Sequence, residues 1–78
     1  MEIKVLGPGC AKCKKVEKTV RDVVEAVGVT ATVDKVTDMM EIAKHGVVTT
    51  PAVVIDGVVK SAGKVPRADE IKAWLEEE

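Results

Sequence analysis

Residues 51–60, PAVVIDGVVK, restrict the fold more than any other stretch of the chain. Two valine-rich runs meet at Asp56-Gly57, a dipeptide that readily takes positive φ at both centres of a tight turn, so they are expected to fold back as an antiparallel hairpin. The segments before them demand a different connection. EIKVL, residues 2–6, reads as a strand ended by Gly7-Pro8-Gly9, three residues that disfavour regular structure. From Lys12 to Val27 the apolar positions Val16, Val20, Val23, Val24 and Val27 fall on one stripe of a helix, and Gly28 supplies its stop. Val29 to Val33 then alternates Val and Ala with Thr, as a second strand does. Strand, helix and strand in succession imply parallel pairing through a right-handed crossover, so the sheet must be mixed.

Two further helices complete the pattern. Asp38 followed by Glu41 resembles a capping box at the start of a short helix, Met39 to Lys44, closed by Gly46. Its apolar face is expected to hold Met39, Ile42 and Ala43, with Met40 exposed and His45 as a surface cap at the C-terminal end. Pro66 fits the first turn of a last helix running to about Glu76, with Ile71, Trp74 and Leu75 on its buried side. The expected fold is α/β in the order βαβαββα, a four-stranded mixed sheet flanked by three helices, forming one domain over residues 1–78. A chain of 78 residues sits near the size where one hydrophobic core only just outweighs the entropy of ordering. With no Phe or Tyr and one Trp, that core must be built from sixteen Val together with Ile, Leu, Met and Ala.

Charge narrows the function. Twelve Lys and Arg oppose thirteen Asp and Glu, with no basic run and no aromatic interleaving, so nucleic acid is not an expected partner. MEIKVLGPG lacks the basic lead and apolar stretch of a targeting segment, and no window approaches the roughly 20 apolar residues of a membrane span. A cytoplasmic location without membrane association is expected. Asn and Gln are both absent, a usage that fits a thermophilic source.

The chemistry concentrates in GPGCAKCKK, where the two cysteines of the chain stand three positions apart. Their loop is too short for a disulfide to stabilise the fold through unfolded-chain entropy. A structural zinc site needs four ligands, and neither a second C-x-x-C nor paired His is present. Soft monovalent copper can be held by such a pair, so a copper(I) carrier remains the alternative to a redox centre. In the redox reading Cys10 stands at the mouth of the first helix, where the helix dipole and Lys12, Lys14 and Lys15 favour a thiolate. Cys10 is then the attacking thiol, with Lys12 as a tuner of its pKa. Cys13, one turn inward on the same face, is the resolving thiol, more shielded and of higher pKa. Both are assigned as catalytic residues. No metal and no cofactor is expected.

Cys10-Ala-Lys-Cys13 opening a helix, Thr50-Pro51 opening the hairpin, Gly57 in its turn and Gly63 after it resemble the thioredoxin superfamily. The likeness is to its small thioredoxin-like and glutaredoxin-like redox proteins of archaea and bacteria, and it covers nearly the whole chain. The resemblance implies that Pro51 is the family's cis-proline packed against the cysteines, and that the Thr50 backbone pairs with an extended substrate segment. Gly63 joins them as a substrate-binding residue. It also implies disulfide-containing protein substrates, an upstream disulfide reductase as electron donor, and a monomer. Pro8-Gly9 before Cys10, and Ala11-Lys12 between the thiols, depart from the usual thioredoxin Trp-Cys-Gly-Pro-Cys. The Tyr of the glutaredoxin Cys-Pro-Tyr-Cys is missing as well, and the likeness does not extend to glutathione use. The heavy-metal-associated domains of copper chaperones share a C-x-x-C between first strand and helix, but their order is βαββαβ. A non-catalytic interaction module that kept the fold is a third possibility, which the intact C-x-x-C argues against.

Overall fold

The computed structural model describes residues 1–9 and 11–77. Its elements are β1 (Glu2–Leu6), α1 (Ala11–Val27), β2 (Thr32–Val36), α2 (Met39–Lys44), β3 (Ala52–Ile55), β4 (Val58–Ala62) and α3 (Ala68–Glu77). The strands form one sheet in the order β2-β1-β3-β4. β1 pairs parallel with β2 and antiparallel with β3, and β3 pairs antiparallel with β4.

The residues of the central strands explain the layering. All four positions of β3 are buried, as a strand covered on both faces requires. Val53 and Ile55 join Ile3, Val5, Val16, Val20, Val23, Ile71 and Leu75 in a cluster beneath α1 and α3. Ala52 and Val54 point the other way, with Leu6, Ile42 and Val47, beneath α2. The period of two in the strands thus splits one apolar run between two half-cores. In α1 the buried residues are Cys13, Val16, Val20 and Val23, so the valine stripe extends one turn further toward the N-terminus than the valines alone indicate.

The hairpin turn has Asp56 at φ 49° and Gly57 at φ 83°, the twist that suits a two-residue connection. Asp56 also fixes the neighbouring strand: its N–H donates to the Glu2 carbonyl at 2.8 Å, and its Oδ1 accepts from the Glu2 N–H at 2.8 Å. This pair of hydrogen bonds sets the β1–β3 register at the end opposite α1's N-terminus. On β4, pairing jumps from Ser61 to Val59 across Val53 and Val54, so Lys60 is the extra residue of a bulge on the edge strand.

Three sequence expectations differ from the structure. The second strand begins at Thr32 and runs to Val36, rather than from Val29 to Val33. Its register is dictated by β1, with Glu2 opposite Thr32 and Leu6 opposite Val36, while Val29 and Ala31 pack on the core from the connection before it. Met39 is 62% exposed and Ala43 is exposed, because a six-residue helix needs only Ile42 to close the second half-core. Pro66 is buried but precedes α3, which starts at Ala68. There Arg67 takes the capping position, its N–H donating to Glu70 Oε1 at 3.2 Å and its carbonyl accepting from Ile71. Trp74 packs on the larger cluster half-buried, beside the fully buried Ile71 and Leu75.

Asp38 caps α2 through Oδ1, which accepts from the Met40 N–H at 2.8 Å, whereas the Glu41 carboxylate pairs with Lys44 at 3.1 Å. His45 is the C-terminal cap residue of that helix. Among the described residues no helix is long and apolar enough to cross a membrane.

Candidate active site

The segments bearing the singled-out residues meet at the carboxyl end of β1. Gly7 extends β1 by one bond, its N–H donating to the Val36 carbonyl at 2.9 Å, and is buried there. Cys10 lies outside the described residues. Cys13 lies in the first turn of α1, 2% exposed, with its side chain turned onto the strand end. A β-carbon placed on Gly7 would clash with Cys13 Sγ, standing 3.1 Å from Cys13 Cβ and 3.9 Å from Thr50 Cβ. The Cys13 thiol, the β1–α1 turn and Thr50 therefore share one corner of the molecule.

The approach to β3 is held on its other side. The Thr50–Pro51 peptide bond is cis, and Pro51 is buried. The Pro51 carbonyl accepts from the Gly63 N–H at 2.9 Å, which carries the β3–β4 pairing one step past the strands. Gly63 has φ 80°, and a β-carbon there would stand 2.9 Å from Thr49 Oγ1 and 3.2 Å from Thr49 Cβ. Only a glycine fits both the backbone conformation and the space. Thr50 is half-buried and Thr49 exposed. The structure thus brings Cys13 and Thr50 together through Gly7, and binds Pro51 to Gly63. Lys12 is exposed on α1, next in sequence to Cys13.

Gly7 and Thr49 carry contacts that sequence reasoning did not assign. Gly7 reads in sequence as one residue of a Gly-Pro-Gly break, and nothing in the spacing shows that a side chain there would collide with Cys13.

The charges are sorted by position. The middle of α1 pairs its own, Lys18 with Asp22 and Arg21 with Glu17, and Lys35 of β2 also approaches Glu17. Among the described residues Lys12, Lys14 and Lys15 enter no ion pair, and the first turn of α1 has no acid. Lys64 differs: its ammonium is 3.2 Å from Glu70. The Arg67 N–H, followed by Lys64, holds the Glu70 carboxyl below its ordinary value of 4.5. Its folded pKa is depressed, so the stability it adds is complete above the ordinary value and is lost as pH falls through the lower, folded value. Wild type is therefore expected to be more stable than Glu70→Gln at neutral pH, with the gap closing at acid pH. Urea unfolding of both at a series of pH values measures it, and a pH-independent gap would refute the assignment.

The order βαβαββα with this mixed sheet is that of thioredoxin-like proteins, and it departs from the βαββαβ order of copper-chaperone domains. Residues 1–76 match the family described as thioredoxin domain. Over 75 residues the chain is 36% identical to a thioredoxin of Methanothermobacter thermautotrophicus, covering 96% of this chain and 97% of that protein. Over 73 residues it is 42% identical to a thioredoxin of Methanocaldococcus jannaschii, covering 94% and 84%. The chain belongs to the thioredoxin family, and its function is of the thiol–disulfide oxidoreductase type. Neither fold order nor relatives support the copper-carrier alternative.

Proposed function

We propose that the chain reduces or exchanges disulfides of protein substrates through Cys10 and Cys13, and is itself returned to the dithiol by an upstream disulfide reductase. The observation that carries this reading is the seat of Cys13. Its side chain is buried in the first turn of α1 against Gly7, which Thr50 also borders, beside the segment that Gly63 ties down. The Cys10 thiolate attacks one sulfur of the substrate disulfide, forming a mixed disulfide and releasing the other sulfur as a thiolate. Cys13, having lost its proton to solvent, then attacks the Cys10 sulfur, forming an internal disulfide and releasing the second substrate thiolate. Two electrons pass from the protein to the substrate. The backbone at Thr50 pairs with the extended substrate segment during the attack, and Lys12 favours the Cys10 thiolate. The test is a redox titration of the pure protein, scored by the mass added on alkylation. One two-electron transition in which both thiols are protected together supports the reading, and independent one-thiol behaviour refutes it.

Docking follows from the charges. Lys12, Lys14 and Lys15 crowd the N-terminal end of α1, where cations oppose the helix dipole, so their placement costs helix stability rather than adding to it. An acidic surface on the reductase compensates. Its association rate is expected to fall about tenfold between low salt and 0.5 M salt, and replacing the three lysines with Gln should remove that dependence. Stopped-flow reduction measures this, and a salt-independent wild-type rate would overturn the assignment. The variant should unfold at no lower temperature than wild type.

A further inference from the structure

We propose that Gly7 is the positioning residue for Cys13, its missing side chain forming the seat in which the thiol lies. The reading rests on the proposed roles of the two cysteines, but its contact is independent of them. Gly7 is buried, yet nothing in its backbone asks for glycine, since it is absent from the positive-φ residues that include Gly9, Gly28, Gly46, Gly57 and Gly63. Space explains it instead. At Gly9, Gly28, Gly46 and Gly57 a β-carbon would meet nothing within 4 Å, whereas at Gly7 it would clash with Cys13 Sγ and crowd Cys13 Cβ at 3.1 Å.

Neither side of that contact can give way easily. Gly7 is held to β2 by its hydrogen bond to Val36, and Cys13 belongs to the same buried stripe as Val16 and Val20. Thr50 closes the third side, 3.9 Å from the site of the added carbon. A methyl group at position 7 must therefore displace the thiol, and with it the line along which Cys13 approaches the Cys10 sulfur. Attack by Cys10 on a substrate does not use that line. The second step alone should suffer.

Gly7→Ala separates the steps with a symmetric aromatic disulfide whose two thiolates are coloured. Cys10 attack releases the first thiolate and leaves the mixed disulfide; Cys13 attack forms the internal disulfide and releases the second. In Gly7→Ala the first release should stay within about twofold of wild type and the second should slow by about tenfold or more, since small misplacements of reacting atoms are costly. Equal slowing of both, or of neither, overturns the proposal. A wild type that releases a single thiolate would instead sink the two-cysteine reading and leave the contact to be judged by stability.

Stability supplies the second arm. Denaturant unfolding of wild type, Gly7→Ala, Cys13→Ala and the double variant forms a cycle. The penalty of Gly7→Ala should shrink by more than half when residue 13 is Ala, because the overlapping sulfur is gone. If Gly7→Ala does not fold, a folded double variant supports the contact, and a double variant that also fails to fold refutes it. A penalty unchanged by Cys13→Ala would likewise refute it.

Discussion

Cys13→Ser is expected to convert the protein from a catalyst into a trap. Cys10 still attacks the substrate disulfide, but no second thiol displaces it, so the substrate stays bound as a mixed disulfide. Turnover should fall by about three orders of magnitude or more, the scale of losing one member of a unit that acts together. Cys10→Ser should lose as much turnover while capturing nothing, because the step that joins protein and substrate is gone. The two variants are equal in rate and opposite in what they hold. Non-reducing electrophoresis after incubation with a disulfide-linked protein, followed by reduction, distinguishes them. The burial of Cys13 at 2% exposure fits the inner role, since an attacking thiol must be reached by a macromolecular partner. Should Cys10→Ser capture substrate while Cys13→Ser does not, the roles are reversed.

Much of this arrangement was legible in the sequence, and the reasons it was, or was not, are local. The Asp56-Gly57 turn and the valine stripe of α1 were readable because each depends on residues within one turn or one helix face. The order of elements followed from them, the thiols could be singled out by their spacing at the start of a helix, and the Thr50-Pro51 segment and Gly63 by likeness to a family. The start of β2 was not readable. Its polar interior, Asp34 and Lys35, hides a strand whose bounds are set by hydrogen bonds to β1 thirty residues earlier in the chain. Met39 was misplaced because helical spacing shows which residues share a face, not how much of that face a short helix buries. Pro66 satisfied a rule for helix starts, but Arg67 and Glu70 supplied the cap instead. The meeting of Gly7 and Cys13 joins a strand end to a helix face, and no periodicity encodes it.

Leu6→Ala should be strongly destabilising. Leu6 is fully buried, the last residue of β1, and packs with Ile42, Val47, Ala52 and Val54 in the smaller half-core. Among the described residues that half-core has five buried members, against nine in the cluster beneath α1 and α3, so fewer neighbours can move in to fill the gap. Replacing a buried Leu with Ala costs about 2–5 kcal/mol, with the upper end where the surroundings cannot collapse. A chain of 78 residues has about 4–12 kcal/mol in total. The variant should therefore lose a third or more of its stability. Val48 provides the control, since it is 97% exposed and close in sequence to the same half-core. Val48→Ala should change stability by less than about 0.5 kcal/mol. Because Leu6 precedes Gly7 directly, loosening it should also raise the alkylation rate of Cys13 in the folded protein, whereas Val48→Ala should not. A Leu6→Ala variant as stable as Val48→Ala would mean that α2 does not close the sheet at this end, and that the seat of Cys13 is held from the α1 side alone.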